Sequence, residues 1–430
     1  MATSRYLIRG GHVIDPETGI DGLYDIVIED GKIASIENPQ SAIRNPQSKL
    51  IDASGKVVTP GLIDMHVHLR EPGHEYKETI ETGCLAAAHG GFTTVCCMPN
   101  TDPVNDNQSV TDYILKKAGT AESVRVYPVG AISRGLLGKG LADYGELKAA
   151  GVVAVSDDGN PVMNAQLMRR SLEYAKGFGL LVIVHCEDRN LTANGVMNEG
   201  ITATRLGLPG IPNAEETVMV ARDIALCELT GAPLHIAHVS TEGSVLLIRE
   251  AKARGLPVTA ETAPHYFSLT EEAVANYDTN TRVHPPLRTG KDRDAIRTAL
   301  ADGTIDVIAS DHAPHSSIEK DLEFDQAANG MIGLETSLPL SLQLVEMGLI
   351  DLNVLVAKMS INPARILNLG HIGLKPGNPA DLTIIDTEKK FTVDADTFRS
   401  KSRNTPFNGW ELKGKAVLTM VGGKIVFDNL

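Results

Sequence analysis

Residues 57–68 read Val-Val-Thr-Pro-Gly-Leu-Ile-Asp-Met-His-Val-His, an apolar segment that ends in two histidines. Residues two apart on a β-strand point to the same face, so His66 and His68 are predicted to share one side of a strand. Seven further short apolar segments follow, each separated from the next by an Ala-, Leu- and Glu-rich stretch of helical character. They cover residues 92–99, 124–132, 152–158, 180–187, 234–240, 258–265 and 306–311.

Eight apolar strands that alternate with helices predict an α/β protein built on a (β/α)8 TIM-type barrel. The alternative is a doubly wound open sheet, which normally carries a glycine-rich phosphate loop after its first strand. The sequence after residue 68 has no such loop. The barrel is therefore the favoured architecture.

The two ends of the chain resemble each other in pattern. Residues 6–15 and 25–34, like residues 380–386 and 416–427, are β-rich runs broken by turn residues. We expect both termini to form one small β-sandwich domain, although two separate β extensions would give a similar pattern. The predicted limits are residues 1–56 and 369–430 for the β domain and 57–368 for the barrel.

Composition excludes several classes of protein. The 430 residues are 42% hydrophobic and 22% charged, with a net charge of -14. An acidic chain repels phosphate backbones, and 4% aromatic residues offer little surface for stacking bases, so no nucleic-acid partner is expected. No apolar run of about 18 residues indicates a membrane span. Five cysteines without a CxxC pair favour a reducing, cytoplasmic compartment.

Polar side chains lie where the predicted strands end, which is where barrel enzymes place their active sites. On the sixth segment, alternation predicts that Leu234, Ile236 and His238 face inward and that His235 faces outward. On the fourth, spacing favours Asp158 over Asp157 without deciding between them. The candidate ligands are His66, His68, Asp158, His185, His238 and Asp311.

Four histidines and two aspartates at one end of a barrel would be costly to bury without a partner. Imidazoles and carboxylates are zinc ligands, and six of them exceed the need of one catalytic ion. We therefore expect two zinc ions, bridged by a carboxylate and a hydroxide. The alternative is that each histidine is merely a hydrogen-bonded core residue. The histidines outside the set are expected to be surface or core residues without a metal. These are His12, His74, His89, His235 and His371.

Three motifs together resemble the dihydroorotase family, in its long bacterial type, within the amidohydrolase superfamily. They are Asp-Met-His-Val-His-Leu-Arg-Glu-Pro-Gly at 64–73, Met-Pro-Asn-Thr at 98–101 and Asp-His-Ala-Pro-His at 311–315. The resemblance covers essentially the whole chain. It implies interconversion of N-carbamoyl-L-aspartate and dihydroorotate in pyrimidine synthesis, through a zinc-bound hydroxide with Asp311 as general acid and base.

The resemblance also implies residue roles. One zinc would be held by His66, His68, Asp158 and Asp311, and the other by Asp158, His185 and His238. Substrate would contact His68, Arg70, Asn100 and His315. The family usually has Asn at position 284 and Pro-Phe in the loop before Gly330. The resemblance therefore implies that His284, Ala328 and Asn329 contact substrate, although the residue type at each of these positions differs from that usual in the family.

Many relatives in the superfamily bridge their metals with a carbamylated lysine, and the fourth predicted strand contains none. This agrees with dihydroorotase and disfavours the nearest alternatives, hydantoinase and allantoinase. A different alternative is a non-catalytic scaffold for aspartate transcarbamoylase, which is disfavoured because every expected ligand is present. A complex of an active enzyme with that partner stays open, and we expect a homo-oligomer.

Overall fold

The computed structural model describes residues 5–39 and 48–430. Its centre is a sheet of eight parallel strands in the order β6 to β10 and β13 to β15. A parallel bridge between Val67 and His312 joins the first strand to the segment that follows the last, which closes the barrel. The (β/α)8 barrel is confirmed. Its strands are β6 Leu62–Val67, β7 Phe92–Cys97, β8 Arg125–Ala131, β9 Ala154–Ser156, β10 Leu181–Val184, β13 Leu234–Ile236, β14 Val258–Thr262 and β15 Val307–Ile308.

Helices surround the barrel, and their N-caps are mostly Thr, Asn or Asp side chains that accept a hydrogen bond from the first turn. No helix of the described residues is both long and apolar enough to cross a bilayer. The helices are α1 Ile80–Gly90, α2 Gln108–Ala121, α3 Tyr144–Ala150, α4 Ala165–Gly177, α5 Arg189–Thr192, α6 Ile201–Leu206, α7 Ala214–Thr230, α8 Glu242–Ala253, α9 Pro264–Ser268, α10 Gly290–Ala301, α11 Ser317–Lys320, α12 Leu334–Glu346, α13 Leu352–Val356 and α14 Asn362–Ile366.

Short elements complete this part of the chain. Two two-residue strands, β11 Met197–Asn198 and β12 Gly210–Ile211, pair with each other beside the barrel. A π-helical turn, Ala357–Ile361, joins α13 to α14. The 3-10 turns are Arg134–Leu136, Glu271–Asn276, Thr279–Thr281 and Ala395–Thr397.

Both ends of the chain form a second eight-stranded sheet, which confirms a separate β domain built from the termini. Its apolar core contains side chains from both ends, such as Ile8, Ile26, Ile384 and Leu418. Its strands are β1 Arg5–Asp15, β2 Ile20–Glu29, β3 Lys32–Glu37, β4 Lys49–Asp52, β5 Val57–Pro60, β16 Leu382–Thr392, β17 Glu411–Val421 and β18 Lys424–Asp428.

The division between the two domains follows strand pairing. Residues 57–60 lie in β5, which pairs with β1 and β16 of the terminal sheet, and the barrel strand β6 begins only at Leu62. We therefore propose that the barrel starts a few residues after position 57. Between β16 and β17, residues 393–410 leave the sheet, and Val393 and Phe407 pack with Leu287 and Met331 of the barrel.

Candidate metal centre and substrate pocket

The Asp158 carboxylate occupies the middle of a histidine cluster at the C-terminal end of the barrel. It follows β9 and is 4% exposed. Its Oδ1 lies 3.3 Å from His66 Nε2, 3.6 Å from His185 Nδ1 and 3.5 Å from His238 Nε2, and its Oδ2 lies 3.4 Å from His68 Nε2. One carboxylate therefore reaches all four imidazoles that the sequence singles out.

Asp157, the neighbour that spacing left as an alternative, has a different position. Its carboxylate accepts hydrogen bonds from the backbone N–H and the hydroxyl of Ser133. Ala154 packs in the barrel interior, whereas Val155 packs against the surrounding helices. Asp158 is in phase with Ala154, so alternation along β9 identifies the aspartate that enters the cluster.

Alternation gives the wrong faces on β13. Leu234 and Ile236 pack with Val220 and Ile248 of the surrounding helices, and it is His235 that points into the barrel. His238 still reaches the cluster because β13 ends at Ile236 and the backbone at His238 turns to a φ of 35°. The prediction assumes that β13 continues to His238. Because the strand ends two residues before it, side chains no longer alternate between the two faces at that point.

Asp311 completes the cluster beside His66 and His68. Its Oδ1 lies 3.3 Å from His68 Nε2 and 3.6 Å from His66 Nε2. Like His238, Asp311 and Arg70 have positive φ angles, of 49° and 62°. Such angles cost energy in residues with a side chain, and their concentration at a site indicates that packing holds these groups in place for a purpose.

The side chains fit a divalent cation. His66 Nε2 and Asp158 Oδ1 are buried and make no hydrogen bond among the described residues. The ligand atoms of His66, His68 and Asp311 lie within 4.8 Å of one another, as do those of His66, Asp158 and His238, so either group could hold a metal ion. Buried polar atoms rarely lack a hydrogen-bond partner, and histidine and aspartate are common zinc ligands. His66 Nε2 and Asp158 Oδ1 are therefore candidates to bind a metal ion.

Charge in the cluster also favours cations. Burial raises the pKa of a carboxyl, yet the adjacent imidazoles lower the pKa of Glu261 and of Glu187 to about 2. The same competition holds the pKa of Asp158 and of Asp311 below the usual range for aspartate. The same carboxylates raise the pKa of His66 and, to about 10, that of His185 against the effect of burial, so the site stabilises positive charge, which metal ions would supply.

Each of three imidazoles has a hydrogen-bond partner on the side away from the cluster. His66 Nδ1 is 2.6 Å from Glu261 Oε1, and His68 Nδ1 is 2.9 Å from Asn100 Oδ1. His185 Nε2 is 3.3 Å from Glu187 Oε2. Outer partners of this kind fix which ring nitrogen carries the proton, and so leave the other nitrogen free to ligate a metal.

A cavity of about 420 Å³ opens above the cluster. Arg70, at its wall, donates from Nε to the Pro314 carbonyl oxygen at 3.1 Å, and its Nη2 lies 3.3 Å from His315 Nε2. Burial lowers the pKa of Arg70 to about 10, which leaves the guanidinium charged at neutral pH. Of the residues expected to contact substrate, those that line this cavity are His68, Arg70, Asn100, His284, His315 and Asn329.

Ala328 does not line that cavity. Its backbone N–H donates to the Glu319 carbonyl oxygen, and its own carbonyl oxygen accepts from Lys320 Nζ at 2.7 Å. The neighbouring Asn329 does line it, with its carbonyl oxygen 2.7 Å from His315 Nε2. His284 Nε2 is buried without a hydrogen-bond partner among the described residues, 3.5 Å from Glu187 Oε1.

Sequence reasoning missed three charged residues at the site. Glu187 and Arg189 line the cavity just after β10, and Glu261 lies in β14 under His66. Glu187 is two residues from His185 and could have been found from that spacing. Glu261 could have been found as a carboxylate inside an otherwise uncharged strand segment. Arg189 lies past the strand, where no periodicity applies.

Curated relatives match nearly the full chain. A dihydroorotase of Geobacter metallireducens is 60% identical over 98% of this chain and 99% of its own. The chain belongs to the dihydroorotase family. A dihydroorotase of Syntrophus aciditrophicus is 56% identical over 99% of this chain and 100% of its own. A dihydro-orotase-like family model matches residues 55–244, and an amidohydrolase family model matches residues 229–427.

Solved structures of cyclic amidohydrolases have the same architecture. An L-hydantoinase (dihydropyrimidinase) from Arthrobacter aurescens has a TM-score of 0.88 and 28% identity, over 99% of this chain and 96% of its own. A dihydropyrimidinase from Brevibacillus agri has a TM-score of 0.85 and 25% identity, over 99% and 95%. With its dihydroorotase relatives, this makes the chain a cyclic amidohydrolase that acts on a small molecule.

Proposed function

We propose that this member of the dihydroorotase family interconverts N-carbamoyl-L-aspartate and (S)-dihydroorotate with release or uptake of water, in pyrimidine synthesis. In the ring-opening direction, a water oxygen adds to the ring amide carbonyl and the carbon–nitrogen bond breaks. The products are a β-carboxylate and a carbamoyl nitrogen that has gained a proton. Ring closure is the reverse.

The observation that carries this proposal is the position of Arg70 beside the histidine–aspartate cluster. Both border one cavity, so a substrate carboxylate held by Arg70 would place its amide near Asp158 and Asp311. A guanidinium offers two parallel N–H donors that match a carboxylate. A cyclic amide with an adjacent carboxylate fits this pairing better than one without it, and that difference separates dihydroorotate from a simple hydantoin.

Other residues of the cavity support the same pose. Asn100 accepts from His68 through Oδ1 and therefore has its amide N–H groups left for substrate. We infer that Arg70, Asn100 and His315 hold the carboxylate, and that His68, His284 and Asn329 lie beside the ring. Burial lowers the pKa of His284 to about 3, so this imidazole is neutral and can either donate or accept one hydrogen bond.

We infer that two zinc ions bind here, one to His66, His68, Asp158 and Asp311 and the other to Asp158, His185 and His238. When bound, a zinc pair polarises an amide carbonyl and supplies hydroxide at neutral pH. Asp158 would be a ligand of both ions on this proposal, which is supported by its distances of at most 3.6 Å to all four imidazoles.

Asp311 is proposed as the general acid and base. Its carboxylate borders the cavity and is ionised, because the hydrogen bond from His68 and the nearby His66 outweigh the effect of burial on its pKa. It can therefore accept the proton of the attacking water and deliver it to the leaving nitrogen. The positive φ at Asp311 directs the side chain toward the cavity.

The proposal extends to the setting of the enzyme. We propose a cytoplasmic homo-oligomer, consistent with five buried free cysteines. Association with aspartate transcarbamoylase would be compatible with activity, because the proposed ligand and substrate residues all lie within one chain.

The test is a metal analysis of the purified chain together with assays on three rings: dihydroorotate, hydantoin and dihydrouracil. We expect about two zinc ions per chain and turnover of dihydroorotate in preference to the two rings that lack the carboxylate. Preference for hydantoin would favour the hydantoinase function. Absence of both metal and turnover would favour a scaffold.

A further inference from the structure

Lys320 is a buried lysine close to the substrate cavity but outside the set of residues expected from the sequence. It ends α11 and is 6% exposed. Its Nζ donates to the carbonyl oxygens of Ala328 at 2.7 Å, Gly330 at 3.1 Å and Arg282 at 3.5 Å. An ammonium has three donors, and all three have an acceptor here.

These acceptors belong to two segments at the edge of the cavity. Residues 328–330, here called the edge loop, include Asn329 and Gly330, which line the cavity. The Gly330 N–H donates to the Arg282 carbonyl oxygen at 2.9 Å, so the edge loop and the segment that leads to His284 are tied together. Lys320 is the one side chain of the described residues that bonds Arg282, Ala328 and Gly330 together.

The edge loop accepts hydrogen bonds from two side chains at its Gly330 carbonyl oxygen, Lys320 Nζ and Asn404 Nδ2, each at 3.1 Å. With His315, these two side chains line a second cavity of about 470 Å³. His315 lines both cavities, and its Nε2 lies 2.7 Å from the Asn329 carbonyl oxygen. The position of the edge-loop backbone therefore depends on hydrogen bonds from Lys320 and Asn404.

Charged neighbours of Lys320 only partly offset the effect of burial on its pKa. Burial is the largest effect and lowers the pKa of Lys320 to about 7, with a further decrease from Arg282 and opposition from Asp278 and Glu319. Keeping an amino group buried at this position costs stability. The three carbonyl oxygens that accept from Nζ offset that cost, so the side chain and the backbone positions that it bonds depend on each other.

We propose that Lys320 is a positioning residue that fixes the edge-loop backbone, and through it His315, where substrate binds. This inference rests on the proposed dihydroorotase function. Lys320 touches neither the histidine cluster nor, on the proposed pose, the substrate. It therefore affects substrate affinity and leaves metal binding and the chemical step unchanged.

The experiment compares Lys320→Met with Lys358→Met in the full chain loaded with zinc. Lys358 is matched: it is 3% exposed and donates to the Ile305 carbonyl oxygen at 2.5 Å, near the start of β15 at the other end of the barrel. For Lys320→Met we expect KM for dihydroorotate to rise about tenfold or more, as small misplacements of binding groups do. We expect kcat and zinc content near wild type, and near-normal KM for Lys358→Met.

Hydrogen exchange of the amides of residues 329–331, followed without substrate, gives a readout that does not depend on activity. We expect faster exchange there in Lys320→Met and no change in Lys358→Met. Unchanged KM and unchanged exchange in Lys320→Met would overturn the proposal, as would equal effects of the two substitutions.

Lys320→Gln serves if the methionine variant does not fold, because its shorter amide has two N–H donors for three carbonyl oxygens. It is the deciding substitution rather than Lys320→Arg, since a guanidinium has five N–H donors and retention of loop order would then depend on its geometry alone. We expect a raised KM and faster edge-loop exchange in Lys320→Gln too, and wild-type values would contradict the role of Lys320. A wild-type chain that does not turn over dihydroorotate would refute the proposed function instead, and the exchange comparison would still decide whether Lys320 holds the loop.

Discussion

Glu261 lies beneath His66, with its Oε1 2.6 Å from the Nδ1 of that imidazole. Its other oxygen lies 3.2 Å from His235 Nε2, and His235 Nδ1 is 2.8 Å from the Thr259 hydroxyl. Glu261, His66 and His235 are each at most 1% exposed. The barrel interior thus contains a polar chain that ends at a proposed zinc ligand and fixes the proton of His66 on Nδ1.

Glu261→Gln is expected to weaken zinc binding about 10- to 100-fold, as loss of an outer carboxylate partner typically does. The amide keeps the shape of the side chain but removes the charge that makes the His66 ring a stronger ligand. Competition with a chromophoric chelator measures the affinity. Asp15→Asn is the control, because Asp15 is fully buried in the terminal sheet and accepts from the Leu374 N–H. Equal zinc affinities in both variants would remove Glu261 from this role.

Asp311→Asn is expected to lower kcat by about 10²–10⁴-fold or more, because an amide cannot accept the proton of the attacking water. Zinc content must be measured on the same sample, since Asp311 is also a proposed ligand. Asp321→Asn, an exposed position in the following loop, is expected to keep wild-type kcat. Substantial turnover by the Asp311 variant with full zinc content would assign the proton transfer to another group.

Arg70→Lys is expected to raise KM for dihydroorotate about 10- to 100-fold, because loss of one charge-assisted hydrogen bond costs about 1.5–3 kcal/mol. Arg189 is the second guanidinium of the cavity, but it bonds Asn160 Oδ1 at 2.9 Å and is exposed. Arg189→Lys is expected to change KM less than about threefold. The reverse order of effects would show that Arg189 binds the carboxylate.

Reconstitution of the metal-free chain with zinc is expected to need no bicarbonate. No lysine lines the cavity in the described part of the chain, and Asp158 takes the position that a carbamylated lysine would need. Activity recovered with zinc in degassed, bicarbonate-free buffer is the measurement. A strict dependence on added bicarbonate would mean that a lysine outside this cavity enters the site.

The stability difference between wild type and Lys358→Met is expected to shift in favour of wild type as pH rises from about 8 to 10. Burial lowers the pKa of Lys358 to about 8, below its unfolded value. Over this range the unfolded chain therefore binds more protons than the folded one, and folding gains stability with rising pH. Urea unfolding of both proteins at pH 7, 8, 9 and 10 tests this, and a constant difference would contradict it.

The barrel could be predicted because its strands are short, apolar and separated by helices, a pattern that depends on local sequence alone. The limit of the terminal domain could not be placed as well. Residues 57–60 and 62–67 read as one apolar run, yet β5 pairs with β16 and β6 pairs with β7. The pairing of β5 with β16 depends on residues more than three hundred positions later in the chain, which local sequence does not reveal.

The site illustrates the same distinction. Asp158 and Asp311 are in phase with the inward residues of their strands, Ala154 for the first and Val307 and Ala309 for the second, whereas His238 reaches the cluster where β13 has ended and the backbone has a positive φ. Glu261 contacts His66, which lies 195 positions earlier in the chain, so its partner cannot be found from local sequence. Resemblance to a family supplied Arg70, Asn100 and His315 because the motifs include them.

Asn404, from the arm between β16 and β17, accepts from the His315 N–H at 3.1 Å and donates to the carbonyl oxygens of Ala313 and Gly330 at 3.0 and 3.1 Å. A barrel cut at residue 368 would lose this brace while keeping every proposed zinc ligand. A chain that is still being synthesised also lacks this brace until residue 404 has been added and has docked against the barrel. Catalytic competence is therefore acquired late in biosynthesis, and a gene fusion that separated the barrel from its downstream arm would yield a metal-binding but poorly organised enzyme.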